Sequence, residues 1–210
     1  MPFLFVFFQV KCTYMKTIGI VGGGQLGRML SQAAKMLGFK TIVLDPTPNS
    51  PAGQVADKQL LGSFKDPAMI HELAKECDVM TFEIESADAG ALEALEKEGK
   101  PVYPSSKTLS IIKDKYSQKK FLRERNIPVA DFVEITNKED AQNACKEFGY
   151  PFLLKAKFDA YDGRGNALIE KEEDIAPAFL KLSALFIVNL LIRPSIAVVL
   201  FSIVLLLALT

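Results

Sequence analysis

The sequence predicts an α/β protein in which a parallel sheet, covered on both faces by helices, is followed by a part of α+β order. Three observations predict it. Apolar β-branched runs alternate with segments of helical period from Thr17 to about Ser105, the order that gives parallel strands joined by helical crossovers. A glycine-rich turn within "IVGGGQLGRML" joins the first strand to the first helix. After Pro104 the alternation gives way to two consecutive helices, which places a domain boundary near that proline.

Each element has its own local reason. "TIGIVG" is a buried strand, and "QLGRMLSQAAKMLG" sets Leu26, Met29, Leu30, Ala33 and Leu37 on one helical face before Gly38 ends the turn. "KTIVLD" is a second strand. In "DPAMIHELAKE", Asp66 is an N-cap and Pro67 occupies the first helical position, where its missing N–H costs nothing. Strand "DVMTFEIE", helix "AGALEALEKEG" and strand "PVYPS" continue the pattern. Beyond Pro104, "SSKTLSIIKDKYSQKKFLRERNIPV" reads as two helices capped by Ser105 or Ser106. Strand "DFVEIT", helix "NKEDAQNACKEFG" and strand "YPFLLKAKF" follow.

Composition excludes several functions. The 25 basic and 25 acidic residues cancel and are intermixed, so no face is built for a polyanion the size of nucleic acid. Cys12, Cys77 and Cys145 are widely spaced and odd in number, which fits a reducing compartment better than a metal site or disulfide framework. His71, the one histidine, sits in a helical pattern and receives no role.

The two ends differ from the middle. Residues 1–14, "MPFLFVFFQVKCTY", lack the basic flank and cleavage site of a signal peptide, and Met15, which opens "MKTIGIVGGG", reads as the real start. Residues 183–210 are almost wholly apolar, with Arg193 and Pro194 splitting them. They allow three readings: a membrane anchor, an internal strand-and-helix segment of a larger core, or sequence foreign to the gene. The abrupt change in composition favours the third.

Gly22, Gly24 and Gly27 satisfy G-x-G-x-x-G, and Asp45 follows at about the spacing of a ribose-binding acid. This pattern alone admits an NAD-dependent oxidoreductase. Its physics, backbone N–H groups and a positive helix end near an anion, specifies only a phosphate. Gln25 and Arg28 add an amide and a guanidinium suited to a terminal phosphate. A second loop makes the stronger signal. In "LLKAKFDAYDGRGNALI" a strand lysine, Lys155, precedes a loop with Arg164 between Gly163 and Gly165, a cationic flap between two strands.

"IGIVGGGQLGRML", "SPAGQVAD", "DVMTFEIE", "KDKYSQKKFL" and "LLKAKFDAYDGRGNALI", in this order, resemble N5-carboxyaminoimidazole ribonucleotide synthetase, the ATP-grasp ATPase part of phosphoribosylaminoimidazole carboxylase. The resemblance spans residues 15–182. It implies an extension over 1–14, a Rossmann-like pre-ATP-grasp domain over 15–104, part of an ATP-grasp domain over 105–182, and a tail of separate origin over 183–210.

The implied function is ATP-dependent carboxylation of 5-aminoimidazole ribonucleotide by bicarbonate, through carboxyphosphate, in de novo purine (IMP) biosynthesis. By the same resemblance Lys115, Lys155, Ala160, Tyr161, Asp162, Gly163, Arg164, Gly165 and Asn166 contact ATP. Tyr161, Asp162 and Arg164 also face the reacting groups and are the candidate catalytic residues. Gly23, Gly24, Gln25, Leu26 and Glu83 would receive the ribonucleotide.

ATP and Mg2+ are the implied cofactors, a cytoplasmic location and a homodimer the implied setting, and no nucleic acid or membrane partner is expected unless 183–210 is an anchor. Two positions depart from the family: Lys157 stands where arginine is common and Ser86 where asparagine is usual. Residues 183–210 contain no acid, so the carboxylates that would hold magnesium are not expected in this chain. The sequence thus reads as a shortened synthetase whose turnover is in doubt.

Overall fold

The structure, a computed structural model, describes residues 15–158, 165–182 and 186–190. The chain divides into two compact units, one through Glu83 and one from Ile84. The boundary expected near Pro104 falls inside the second of these.

In the first unit the order is β1 (Thr17–Val21), α1 (Gln25–Met36), β2 (Lys40–Asp45), β3 (Lys58–Leu61), α2 (Pro67–Lys75) and β4 (Val79–Phe82). The strands form one parallel sheet in the order β3-β2-β1-β4. Asp66 caps α2 as expected, its side chain accepting the Ala68 N–H at 2.9 Å. Strand β3 was absent from the sequence reading. It is a four-residue edge strand, "KQLL", with two polar residues, too short for a periodic signal.

Helix α1 keeps its apolar residues on one face but leaves that face bare. The face carrying Leu26, Met29, Leu30 and Leu37 is exposed, at 60, 64, 41 and 76%, and Ala33 is exposed with them. The buried residues are Gly27, Ser31 and Ala34. Small side chains win this face because the helix lies very close to the loop that precedes it: a Cβ on Gly27 would meet the Gly22 carbonyl oxygen at 2.6 Å.

The second unit contains α3 (Ala89–Lys97), α4 (Ser106–Lys113), α5 (Lys115–Glu124), β5 (Phe132–Ile135), α6 (Lys138–Phe148), β6 (Phe152–Ala156), β7 (Asn166–Ile169), a short 3-10 turn (Glu172–Asp174), α7 (Ile175–Leu182) and β8 (Phe186–Leu190). Ser105 is the cap of α4 and Asp114 that of α5. The expected strand "PVYPS" reduces to a single bridge at Val102, since its two prolines supply no N–H for a ladder.

The sheet of this unit is antiparallel, in the order β5-β8-β6-β7. One face is the core: Ile135, Phe152, Leu154 and Ile169 pack with Ala141 and Ala144 of α6 and Ile175 and Ala178 of α7. Strand β8 corrects the reading of residues 183–210 as foreign sequence. Phe186–Leu190 lies between β5 and β6 and pairs with both, so at least this part of the apolar stretch completes the sheet. Residues 191–210 and 1–14 lie outside the described residues. No helix among the described residues is long and apolar enough to cross a membrane.

Candidate functional site

The glycine loop lies at the carboxyl ends of β1, β2 and β4, where open parallel sheets place their ligands. Gly22 holds φ at +103°, a conformation that side chains disfavour, and its N–H donates to the Leu44 carbonyl at 3.0 Å. The next two amides are occupied from within the protein. Gly23 N–H donates to Asp45 Oδ2 and Gly24 N–H to Glu83 Oε1, both at 2.8 Å. The "SPAGQVAD" motif closes on the same loop: Ala52 N–H donates to the Gly23 carbonyl at 2.9 Å, and Arg28 Nη1 donates to Gln54 Oε1 at 3.0 Å.

This geometry narrows the chemistry of the loop. Asp45 is 8% exposed, and its other oxygen accepts the Thr47 N–H at 2.8 Å. It is a buried brace for the loop, which removes the acid on which the dinucleotide reading depended. Gly24 and Glu83 are brought together by binding each other, while Gly23 binds Asp45. No side chain caps α1, so the amides at its amino end, around Gln25 and Leu26, keep their partial positive charge.

A second cluster lies on the sheet of the other unit, on the face opposite its core. Glu134 and Lys155 share one register line, with a residue of β8 between them, and Phe132 lies two residues along β5. Helix α5 packs against this face, with Tyr116 edge-on to Phe132 at 5.6 Å between ring centres. Lys115, Lys119 and Arg123 recur every four residues on α5 and so form a basic stripe. Lys119 Nζ is 5.4 Å and the Arg123 guanidinium 4.2 Å from the Phe132 ring centre, and Arg123 pairs with Asp131 at 3.0 Å.

The lysines of this face are in different electrostatic states. Burial, then the Lys155 ammonium and the Arg123 guanidinium, bring the Lys119 pKa down to about 8, against an opposing pull from Asp131. Burial, then Lys115, lowers that of Lys155. Lys157 is the reverse case, raised above the ordinary lysine value chiefly by its hydrogen bond to Glu134. Buried cations crowded in this way repel one another, and an anion placed between them would relieve that repulsion. Lys119 was missed in the sequence reading, although its four-residue offset from Lys115 was a usable signal.

Of the remaining expected ATP contacts, Gly165 accepts the Ala156 N–H at 2.8 Å through its carbonyl, and Asn166 opens β7 opposite Lys155. Ala160, Tyr161, Asp162, Gly163 and Arg164 lie outside the described residues. Among the described residues, no group of three His, Cys, Asp or Glu side chains could hold a metal ion.

Lys119 yields a pH test. Its folded pKa of about 8 lies below the usual 10.5, so folding disfavours its charged form. That penalty is complete below pH 8 and disappears as pH rises through 10.5. Lys119→Met is therefore expected to raise the thermal midpoint by several degrees at pH 7, with the gain over wild type vanishing near pH 10.5. Thermal melts across that range check it, and equal midpoints at pH 7 would contradict it.

Comparison with known proteins gives a consistent family. A family model described as the ribonucleotide synthetase preATP-grasp domain matches residues 15–113, and one described as the ATP-grasp domain matches residues 120–193. The second match extends past residue 182, where the sequence resemblance was judged to stop, and includes β8.

A phosphoribosylaminoimidazole carboxylase from Candida glabrata is 46% identical over 165 residues, covering 76% of this chain and 29% of that protein. The structure of a carboxyaminoimidazole ribonucleotide synthase from Aspergillus clavatus complexed with ATP superposes with a TM-score of 0.81 at 37% identity, over 86% of this chain and 48% of that one. A structure of the Aspergillus clavatus enzyme with ADP and 5-aminoimidazole ribonucleotide gives a TM-score of 0.76 at 36% identity, over 84% and 46% of the two chains. This chain thus spans less than half the length of each of these relatives.

Proposed function

Because the chain belongs to the N5-carboxyaminoimidazole ribonucleotide synthetase family of ATP-grasp ligases, we propose that it binds ATP, bicarbonate and 5-aminoimidazole ribonucleotide and serves the ATP-dependent carboxylation of that ribonucleotide in de novo purine (IMP) biosynthesis. The observation that carries this reading is the crowded lysine face of the second sheet, where Lys155 and Lys119 are held below their ordinary pKa by burial and by neighbouring cations. A triphosphate relieves that repulsion. The complexes of the relatives with ATP, and with ADP and the ribonucleotide, support the same assignment.

In the proposed reaction a bicarbonate oxygen attacks the γ-phosphorus and ADP leaves, giving carboxyphosphate. The amine of the ribonucleotide then attacks the carboxyl carbon, phosphate departs, and the amine loses a proton. Charge builds on the phosphoryl oxygens, so positioning and fixed cations carry the first step. We assign that work to Lys115, Lys155 and Lys119, with Gly165 and Asn166 framing the loop and Tyr161, Asp162 and Arg164 facing the labile intermediate.

The ribonucleotide phosphate is assigned to the amino end of α1 at Gln25 and Leu26, with Gly23, Gly24 and Glu83 shaping the loop behind it. The proposed domains are 15–104 for the ribonucleotide and 105–182, with β8, for ATP. Magnesium is assigned to the triphosphate that enters, because the described residues offer no carboxylate set for it. A homodimer and a cytoplasmic setting belong to the same proposal.

The test is phosphate release by the 210-residue chain with ATP, bicarbonate and 5-aminoimidazole ribonucleotide, beside ATP titration of the same chain. ATP binding is the expected result, and any release by this shortened chain should need all three substrates. Absence of both release and ATP binding would sink the reading.

A further inference from the structure

Lys157 is the lysine of this face that the proposed chemistry leaves without a part. It is only 7% exposed. Its ammonium lies 2.5 Å from Glu134 Oε1 on β5 and 3.7 Å from Asp114 Oδ2, with the Tyr116 ring centre 5.3 Å away. Its main chain is equally committed, since the Lys157 carbonyl accepts the Lys115 N–H at 3.0 Å.

Asp114 is itself the cap of α5: Oδ1 accepts the N–H groups of Tyr116 at 2.8 Å and Ser117 at 3.3 Å, and Oδ2 accepts the Ser117 hydroxyl at 3.0 Å. One residue therefore ties the end of β6, two positions from Lys155, to the first turn of α5, which begins with Lys115. Through Glu134 it ties both to β5.

We propose that Lys157 is a positioning residue that fixes Lys115 against Lys155 and does not itself touch the nucleotide. The proposal rests on the reading of this face as a polyphosphate site, and it concerns the spacing of the two cations in that site. Removing the ammonium leaves the Lys115 main-chain bond but frees the Asp114 cap from β5, so the first turn of α5 loses its anchor. Arginine at the same position can serve both carboxylates with its forked donors.

Lys155 responds to the spacing without any nucleotide. Burial is the first cause of its lowered pKa and the Lys115 ammonium the second, with Lys119 the other cation that interacts with it, so a change in its distance from Lys115 moves the titration of Lys155. The experiment follows the lysine Cε resonances of the uniformly 13C-labelled 210-residue chain through a pH titration, with Lys155 assigned by its loss in Lys155→Arg.

In Lys157→Met the Lys155 pKa is expected to rise toward the ordinary 10.5, and in Lys157→Arg to return to the wild-type value. Lys115→Met should raise it as far or farther, and adding Lys157→Met to Lys115→Met should change it no more. An unchanged Lys155 pKa in folded Lys157→Met overturns the proposal, as does a further rise in the double variant.

If Lys157→Met does not fold, Glu134→Gln, which keeps the lysine and its main-chain bond, should move Lys155 the same way by less, and no movement overturns the proposal. ATP affinity, measured alongside, should fall about tenfold in Lys157→Met and recover in Lys157→Arg. A wild-type chain that shows the lysine coupling and binds no ATP would overturn the nucleotide reading of the face and not the coupling of Lys157 to Lys115.

Discussion

Lys155→Met is expected to weaken ATP binding by on the order of 100-fold, with no loss of thermal stability. The two halves of that result come from the same physics. Lys155 projects from β6 on the face opposite the core, where burial and the Lys115 ammonium already disfavour its charge. Methionine removes that penalty and keeps the stem that packs along the sheet, so the free protein loses nothing. A triphosphate, however, loses a charge-assisted contact in a partly desolvated place, worth about 2–3 kcal/mol, and about 1.4 kcal/mol is a factor of ten. Calorimetric titration with ATP beside a thermal melt measures both. Unchanged affinity would remove Lys155 from the site, and a lower melting point would mean that the lysine is part of the fold's own support.

Gly27→Ala is the second large effect, and it acts on the other ligand. The added Cβ would lie 2.6 Å from the Gly22 carbonyl oxygen and 3.3 Å from the Ala52 side chain. Neither neighbour can give way cheaply. Gly22 is pinned by its left-handed φ of +103° and its hydrogen bond to Leu44, and Ala52 is fully buried with its N–H on Gly23.

Forced overpacking of this kind costs about 1–3 kcal/mol. It should also push the amino end of α1 away from the braces on Asp45 and Glu83. The expected outcome is a lower urea midpoint together with at least about tenfold weaker binding of 5-aminoimidazole ribonucleotide, the affinity loss being about 1.4 kcal/mol or more. Gly38→Ala is the control, because its position also has a positive φ, +82°, but nothing lies within 4 Å of an added Cβ. If the two variants lose equal ribonucleotide affinity, the contact of Gly27 with the loop is not what shapes the phosphate site.

Much of the fold was legible because its signals are local. Asp66 and Ser105 reveal helix starts through side chains that bond amides two or three residues on, whereas Asp114 emerged as the cap of α5 only in the fold. Lys155 followed by a glycine-bearing loop is readable in the same way. The loop "GGGQLG" announced an anion, but its spacing could not show which amides were already taken. That depended on Asp45 and Glu83, which reach Gly23 and Gly24 only after β2 and β4 align beside β1.

Lys157 shows the same limit. Sequence presents it as one lysine among several near a loop, and only the packing of α5 against β5 makes it an ion-paired brace while Lys119 and Lys155 stay crowded cations.

The sequence by itself determined the α/β order, the parallel first sheet, the helix boundaries set by caps, and the family. It did not show that the apolar face of α1 is exposed, and it ranked a foreign tail above an internal segment for the stretch that contains β8. A helix face is buried or bare according to what lies across from it, and at α1 close approach selected glycine, serine and alanine over leucine and methionine. A short apolar run has no periodicity to separate an interior strand from an anchor or a foreign tail. Only pairing with β5 and β6, distant in the chain, decided that Phe186–Leu190 belongs to the sheet, because backbone hydrogen bonds between strands are contacts that no local pattern records.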